Sequence, residues 1–284
     1  MRNNKKRIFI PILIILLILI IVSCGLFLWY TLSGNYLNIT YTDEVANNVN
    51  MQEASNSNII IANGVVLGGV NGNKWVLPDK FYEANSSKNG FKVDVFSNNS
   101  QYGTYDTAKL RKYNKSVIYT TLVKENVPST YIAISATDDA KMLPGMTKLE
   151  GNQEDEKYVK EALGAYKYIN GSVKITEVYG TNINNVTDKI ICATSGNANI
   201  LGAYSAVVYV TGNKAHLVKY SSVRDTKNAD MWPIYSLQFV MDLNNDNKPE
   251  LVLQETTGNN ASYCVLELRE KNMFYEVLRT TIEV

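Results

Sequence analysis

The run Asp242-Leu243-Asn244-Asn245-Asp246-Asn247-Lys248-Pro249-Glu250 holds the densest oxygen chemistry in the chain. Side-chain oxygens stand at positions 1, 3, 5 and 9 of the run, and the Lys248 carbonyl at position 7 could supply another ligand. Their alternation places them on one side of a tight loop. A hard cation such as Ca²⁺ takes about six to eight oxygens at ~2.3–2.6 Å, and this spacing supplies several of them. The expected metal residues are therefore Asp242, Asn244, Asp246, Lys248 (through its carbonyl) and Glu250. The three carboxylates, Asp242, Asp246 and Glu250, carry a formal charge of −3, suited to a divalent ion. The other reading is a structural turn whose Asn and Asp side chains bond their own backbone. An EF-hand is excluded, because its bidentate Glu would fall on Leu253 and the flanking runs read as strands.

Strand-like Leu237-Gln238-Phe239-Val240 and Leu251-Val252-Leu253 flank the loop. The whole resembles the strand–loop–strand calcium sites of FG-GAP and VCBS-type repeats, whose pattern is roughly D-x-D/N-x-D-G-x-x-D/E-L. Asn247 stands where that pattern prefers Gly, and Asn tolerates the required positive φ better than other non-Gly residues. A degenerate copy starts at Asn182-Ile183-Asn184-Asn185-Val186-Thr187-Asp188, with Val186 at the position of Asp246 and one residue missing. That copy should keep its turn and lose most of its metal affinity. The resemblance implies two blade-like four-strand units. Two blades cannot close a propeller, so they must pack on each other, on a helix or on the N-terminal strands. More loosely, the runs from Gly68-Gly69-Val70 to Lys74-Trp75, Leu143-Pro144, Tyr204-Ser205 and the Asp242 loop resemble uncharacterised secreted or membrane-anchored proteins of Firmicutes. That resemblance implies a location and a fold, and no activity.

No catalytic constellation accompanies the loop. His216 is the one histidine, and it lies in a strand-like run, Lys214-Ala215-His216-Leu217-Val218, where a structural role is expected. Zinc would have too few His and Cys ligands. Asp138-Asp139 reads as a turn and Glu154–Glu156 as helix capping, so neither is expected to be a glycosidase pair. Gly68-Gly69 lacks the Lys-Ser/Thr of a phosphate loop.

The elements that must position the loop are mostly strands. Asn63-Gly64 between apolar runs predicts a hairpin of 59–61 with 65–70, because a type I′ turn needs φ > 0 at both central residues. Strands are expected at 74–76, 91–96, 116–123 and 131–136, with a short helix or turn from Pro78 to Tyr82. Pro144-Gly145 marks a boundary. Asn152 then caps an amphipathic helix, with Glu154, Asp155 and Glu156 in its first turn, ending at Asn170-Gly171. Eight strands follow, at 173–178, 189–193, 204–211, 216–220, 235–241, 250–254, 262–268 and 274–278. Cys192 and Cys264 lie in two of these strands, either as a disulfide or as buried free thiols.

Residues 8–32 are an uncharged apolar run. As a helix it reaches roughly 37 Å, enough for a hydrocarbon core of about 30 Å. Arg2, Lys5, Lys6 and Arg7 precede it, and no basic residue follows before Lys74. The N-terminus is thus expected in the cytoplasm, with the rest outside a single-pass cell-membrane anchor. Ile21-Val22-Ser23-Cys24 leaves open a lipoprotein acylated at Cys24, and a cleaved signal peptide is the third option. The formal net charge of +1 becomes −3 without the four basic residues of the tail, which argues against a nucleic-acid partner. With 33 Asn and 19 Tyr, the composition suits an AT-rich bacterial genome and Tyr-rich strands. The expected organisation is a tail (1–7), an anchor (8–32), a polar stalk (33–57), an N-terminal β-rich region (58–150), then one packing helix and two β units (151–284). The expected fold class is mainly β (α+β). The expected function is a non-enzymatic extracytoplasmic binding or structural protein with a structural Ca²⁺ and a cell-wall or protein ligand. A cell-surface hydrolase and a subunit of a membrane assembly are the alternatives.

Overall fold

Among the described residues, Val-, Ile- and Tyr-rich runs, cut by turns that need positive φ, build three sheets. The computed structural model describes residues 41–42, 49–98, 100–113, 117–124, 126–136, 146–164, 172–184, 187–195, 203–222 and 233–282. The predicted tail, the predicted membrane span with Cys24, and residues 33–40 of the predicted stalk lie outside these. So do Asp138-Asp139, Leu143-Pro144-Gly145 and the predicted helix end at Asn170-Gly171. No helix among the described residues is long and apolar enough to cross a membrane.

The N-terminal sheet has eight strands: β2 (Asn58–Ala62), β3 (Val65–Asn71), β4 (Lys74–Val76), β5 (Lys92–Ser97), β6 (Ser100–Asp106), β7 (Arg111–Tyr113), β8 (Val117–Tyr119) and β9 (Ile132–Ser135). Their order is β6-β5-β9-β2-β3-β8-β7, with β4 also on β3. Asn63 (φ +48) and Gly64 (φ +87) make the expected hairpin turn. The helices α1 (Met51–Ser55) and α2 (Pro78–Asn85) cover one face. There Ala54 and Phe81 pack against Ile59, Ile61 and Val66. Gly69 is needed at this contact, since a Cβ on it would lie 2.6 Å from the Phe81 ring.

Two antiparallel meanders follow. The first is β10 (Thr147–Leu149), β11 (Val173–Gly180), β12 (Lys189–Ser195), β13 (Tyr204–Thr211) and β14 (Lys214–Ser222), in that order. The second is β15 (Ile234–Met241), β16 (Glu250–Thr257), β17 (Asn260–Leu268) and β18 (Phe274–Ile282). The two-residue β1 (Tyr41–Thr42) adds in parallel to β18. All eight predicted strands of this half are present, and β13 has the predicted bounds.

The C-terminal meander is the middle layer. One of its faces puts Phe239, Met241, Val252 and Val265 against Ile60, Leu67 and Ile134 of the N-terminal sheet. The other puts Leu237, Leu251, Leu253 and Cys264 against Ile190, Cys192 and Val207 of the first meander. The outer face of the first meander carries α3 (Gln153–Leu163) through Val159 and Leu163. The stack therefore runs helices, sheet, sheet, sheet, helix. Asn152 caps α3 by accepting from Glu154 N (2.8 Å) and Asp155 N (3.1 Å).

Several expectations need correction. The stalk does not extend to residue 57. Asn50 and Glu53 form a capping box, and Val49 and Ala54 are buried in the core, so residues 49–57 belong to the fold. The short helix or turn expected from Pro78 to Tyr82 is the helix α2, while α1, only five residues long, is too short for helical periodicity to be visible. Residue 150 is not a domain boundary, since residues 38–284 form one compact unit in which the last meander lies between the other two sheets. The strand expected over 116–123 is regular only at 117–119. β6 was missed because it is a polar edge strand with only Tyr105 buried, and the short β7 and β10 are exposed throughout.

Candidate metal site

The β15–β16 connection runs from the closing pair Met241–Glu250. Asp242, Asn244 and Glu250 are buried, with Glu250 fully enclosed. Asn245 (φ +58) and Asn247 (φ +64) take the left-handed conformation that Asn tolerates in place of Gly. Asp242 organises the turn: Oδ1 accepts from Asp246 N (3.1 Å) and Oδ2 from Asn247 N (2.9 Å). Asn244 Oδ1 also accepts from Asp246 N (3.1 Å), and Asp246 Oδ1 accepts from Lys248 N (2.9 Å). Glu250 Oε2 accepts from Leu243 N at 2.6 Å.

Glu250 Oε1 has no partner. Six buried side-chain polar atoms among the described residues lack one, and five belong to neutral groups. Burial pushes the Glu250 carboxyl up to about 9, and the charges of Asp242, Asp246 and Glu267 push the same way. Burial also raises Asp242, against the hydrogen bonds from Asn247 and Asp246. Among the described residues, no three His, Cys, Asp or Glu side chains already converge as a metal cluster. The loop brings its carboxylates into electrostatic reach, while Asp246 remains on the partly exposed side, 4.0 Å from Lys248 Nζ. A cation would have to draw Asp246 inward.

Glu267 was not anticipated. It lies opposite Glu250 on β17, accepts from Asn244 Nδ2 (3.1 Å) and is paired with Arg269 (2.7 Å). Its only sequence signal is a carboxylate between inward-facing Leu266 and Leu268.

The degenerate loop is an internal comparison. It joins β11 to β12 from the pair Gly180–Lys189, so both loops have eight residues, 181–188 and 242–249. The expected missing residue is therefore not missing, and Thr181, not Asn182, aligns with Asp242. Here the fully buried carboxylate is Asp188. It accepts from Asn184 N (2.7 Å) and from Tyr209 Oη (2.7 Å). Both bonds fall on Oδ2, so a hydroxyl from the neighbouring strand gives this buried carboxylate a second donor. Tyr209→Phe should cost about 1–3 kcal/mol in thermal unfolding, because it removes one of the donors to a buried carboxylate.

The other candidates do not assemble. His216 is half-buried on β14, with Asn272 Nδ2 3.4 Å from Nε2, and burial holds its pKa below the usual value. Glu154 and Asp155 serve the N-terminus of α3. Cys192 and Cys264 are free and buried in one core cluster, and burial pushes Cys264 up to about 12. Comparison with protein-family models, curated proteins and solved structures finds no match to this chain.

Proposed function

We propose that this chain is a membrane-anchored extracytoplasmic binding or structural protein whose C-terminal meander holds one structural Ca²⁺. Asp242, Asn244, Asp246, the Lys248 carbonyl and Glu250 supply its oxygens, and residues 8–32 tether the fold to the cell membrane. The single observation that carries the calcium reading is the unpartnered, fully buried Glu250 Oε1. An isolated buried carboxylate is costly, and pairing with a cation removes that cost. In the loop between β11 and β12 the buried Asp188 carboxylate has two donors, Asn184 N and the Tyr209 hydroxyl, where Glu250 has only Leu243 N. The ion's contribution is to neutralise and gather loop oxygens, and thereby to fix the β15–β16 turn against the N-terminal sheet. A hydrolase or an assembly subunit has no constellation among the described residues in its favour.

Two measurements test this reading. Protease added to intact cells should remove a C-terminal epitope while the chain stays in the membrane fraction. Full-length protein in detergent micelles should unfold at a higher temperature in calcium than in chelator. An epitope protected in intact cells would overturn the topology, and identical midpoints would overturn the ion.

A further inference from the structure

The proposed cation loop forms one wall of a half-open cavity of about 280 Å³, whose other wall is the N-terminal sheet. Ile60, Ile134 and Leu243 lie beneath the cavity, almost fully covered, so the surface it presents to a ligand is mainly polar. Three amides stand at its rim: Asn58 at the start of β2, Asn73 in the β3–β4 turn and Asn245 at the loop tip. None of these side-chain amides bonds to another described residue. No titratable side chain lines the cavity.

We propose that this cavity binds a single neutral sugar ring. Each amide offers paired donors and an acceptor, which match neighbouring hydroxyls or an acetamido group. An ionic ligand would be buried here without a compensating charge, which the lining disfavours. The volume lies just below the ~300–1,000 Å³ of pockets for drug-sized molecules, so it accommodates one ring and not an oligosaccharide. At Gly72 the rim faces open space, since a Cβ built there would meet nothing within 4 Å. The rest of a glycan chain can leave through that gap. Asn244, held between Glu267 and Asp246 N, fixes the loop wall. The assignment gives the binding role proposed above its ligand and rests on it.

The probe is free N-acetylglucosamine, observed by saturation-transfer NMR with the full-length chain in micelles and calcium. Transfer to the ring and acetamido protons is expected for the wild type. In Asn58→Ala/Asn245→Gly it should weaken at least about tenfold, as expected for two lost hydrogen-bonding amides. Glycine keeps the positive φ of position 245. Asn73→Ala, on an exposed turn, is the independent second variant and should also weaken transfer. Absent transfer in the wild type, or equal transfer in all three proteins, overturns the sugar site. A calcium shift without sugar transfer rejects this pocket alone, and transfer without a calcium shift rejects the ion alone.

Discussion

Glu250→Gln should stabilise the calcium-free protein at neutral pH by about 3 kcal/mol. The sign follows from the direction of the shift. Glu250 is raised from an ordinary 4.5 to about 9, so between those values the folded state holds a proton that the unfolded chain releases. The penalty is absent below pH 4.5, grows as pH rises, and levels off above pH 9. Glutamine keeps the acceptor for Leu243 N and removes the charge. In chelator, the wild type should therefore lose stability from pH 5 to pH 8 while the variant stays nearly flat. Saturating calcium should raise the wild type alone, by ~3–4 kcal/mol at about 10²–10³ times Kd, and close the gap. A variant less stable than wild type in chelator would contradict the buried-charge account.

The second large effect concerns the seam between the two meanders. Lys219 on β14 is buried, with a side-chain exposure of 3%, and its Nζ lies 2.7 Å from Glu276 Oε2 on β18. Arg279 bonds the same carboxylate at 2.7 Å and reaches Glu255 at 2.9 Å. Burial alone would raise Glu276, yet Arg279 and Lys219 hold it below the usual carboxylate range. Its contribution to stability is therefore complete above pH 4.5 and is lost as pH falls through the lowered folded value. Lys219→Met should cost about 3–5 kcal/mol, because it strands carboxylate charge between two sheets. For a chain of this size that is a drop of roughly 10 °C in unfolding midpoint. Lys219→Met/Glu276→Gln should recover most of the loss, since a buried pair replaced as a whole costs little. A double variant as unstable as the single would locate the cost in packing.

Periodicity made the second half of the fold legible, for local reasons. Strand patterns such as Tyr204–Thr211 and turns such as Gly212-Asn213 are set by neighbouring residues. The N-terminal sheet was less legible, because β6 and β7 are polar edges that carry little apolar alternation. The five-residue helix α1 is likewise too short to announce itself, whereas Pro78 marks the start of α2. Layer order was not readable, since Val252 and Leu253 look alike in sequence yet face opposite sheets. At the candidate site, the loop oxygens were visible from spacing alone. Glu267 and Tyr209 were not, because each reaches its loop from a strand distant in sequence. Lys219 and Glu276 showed only as charges inside apolar strands, which spacing cannot pair across two sheets.

The most direct test is calcium binding at equilibrium, by isothermal titration calorimetry on the full-length chain in detergent micelles. The expected result is one site in the wild type that is lost in Asp246→Ala, whose altered side chain is partly exposed. Absence of binding heat at millimolar calcium, or equal binding in both proteins, would make residues 242–250 an ordinary turn.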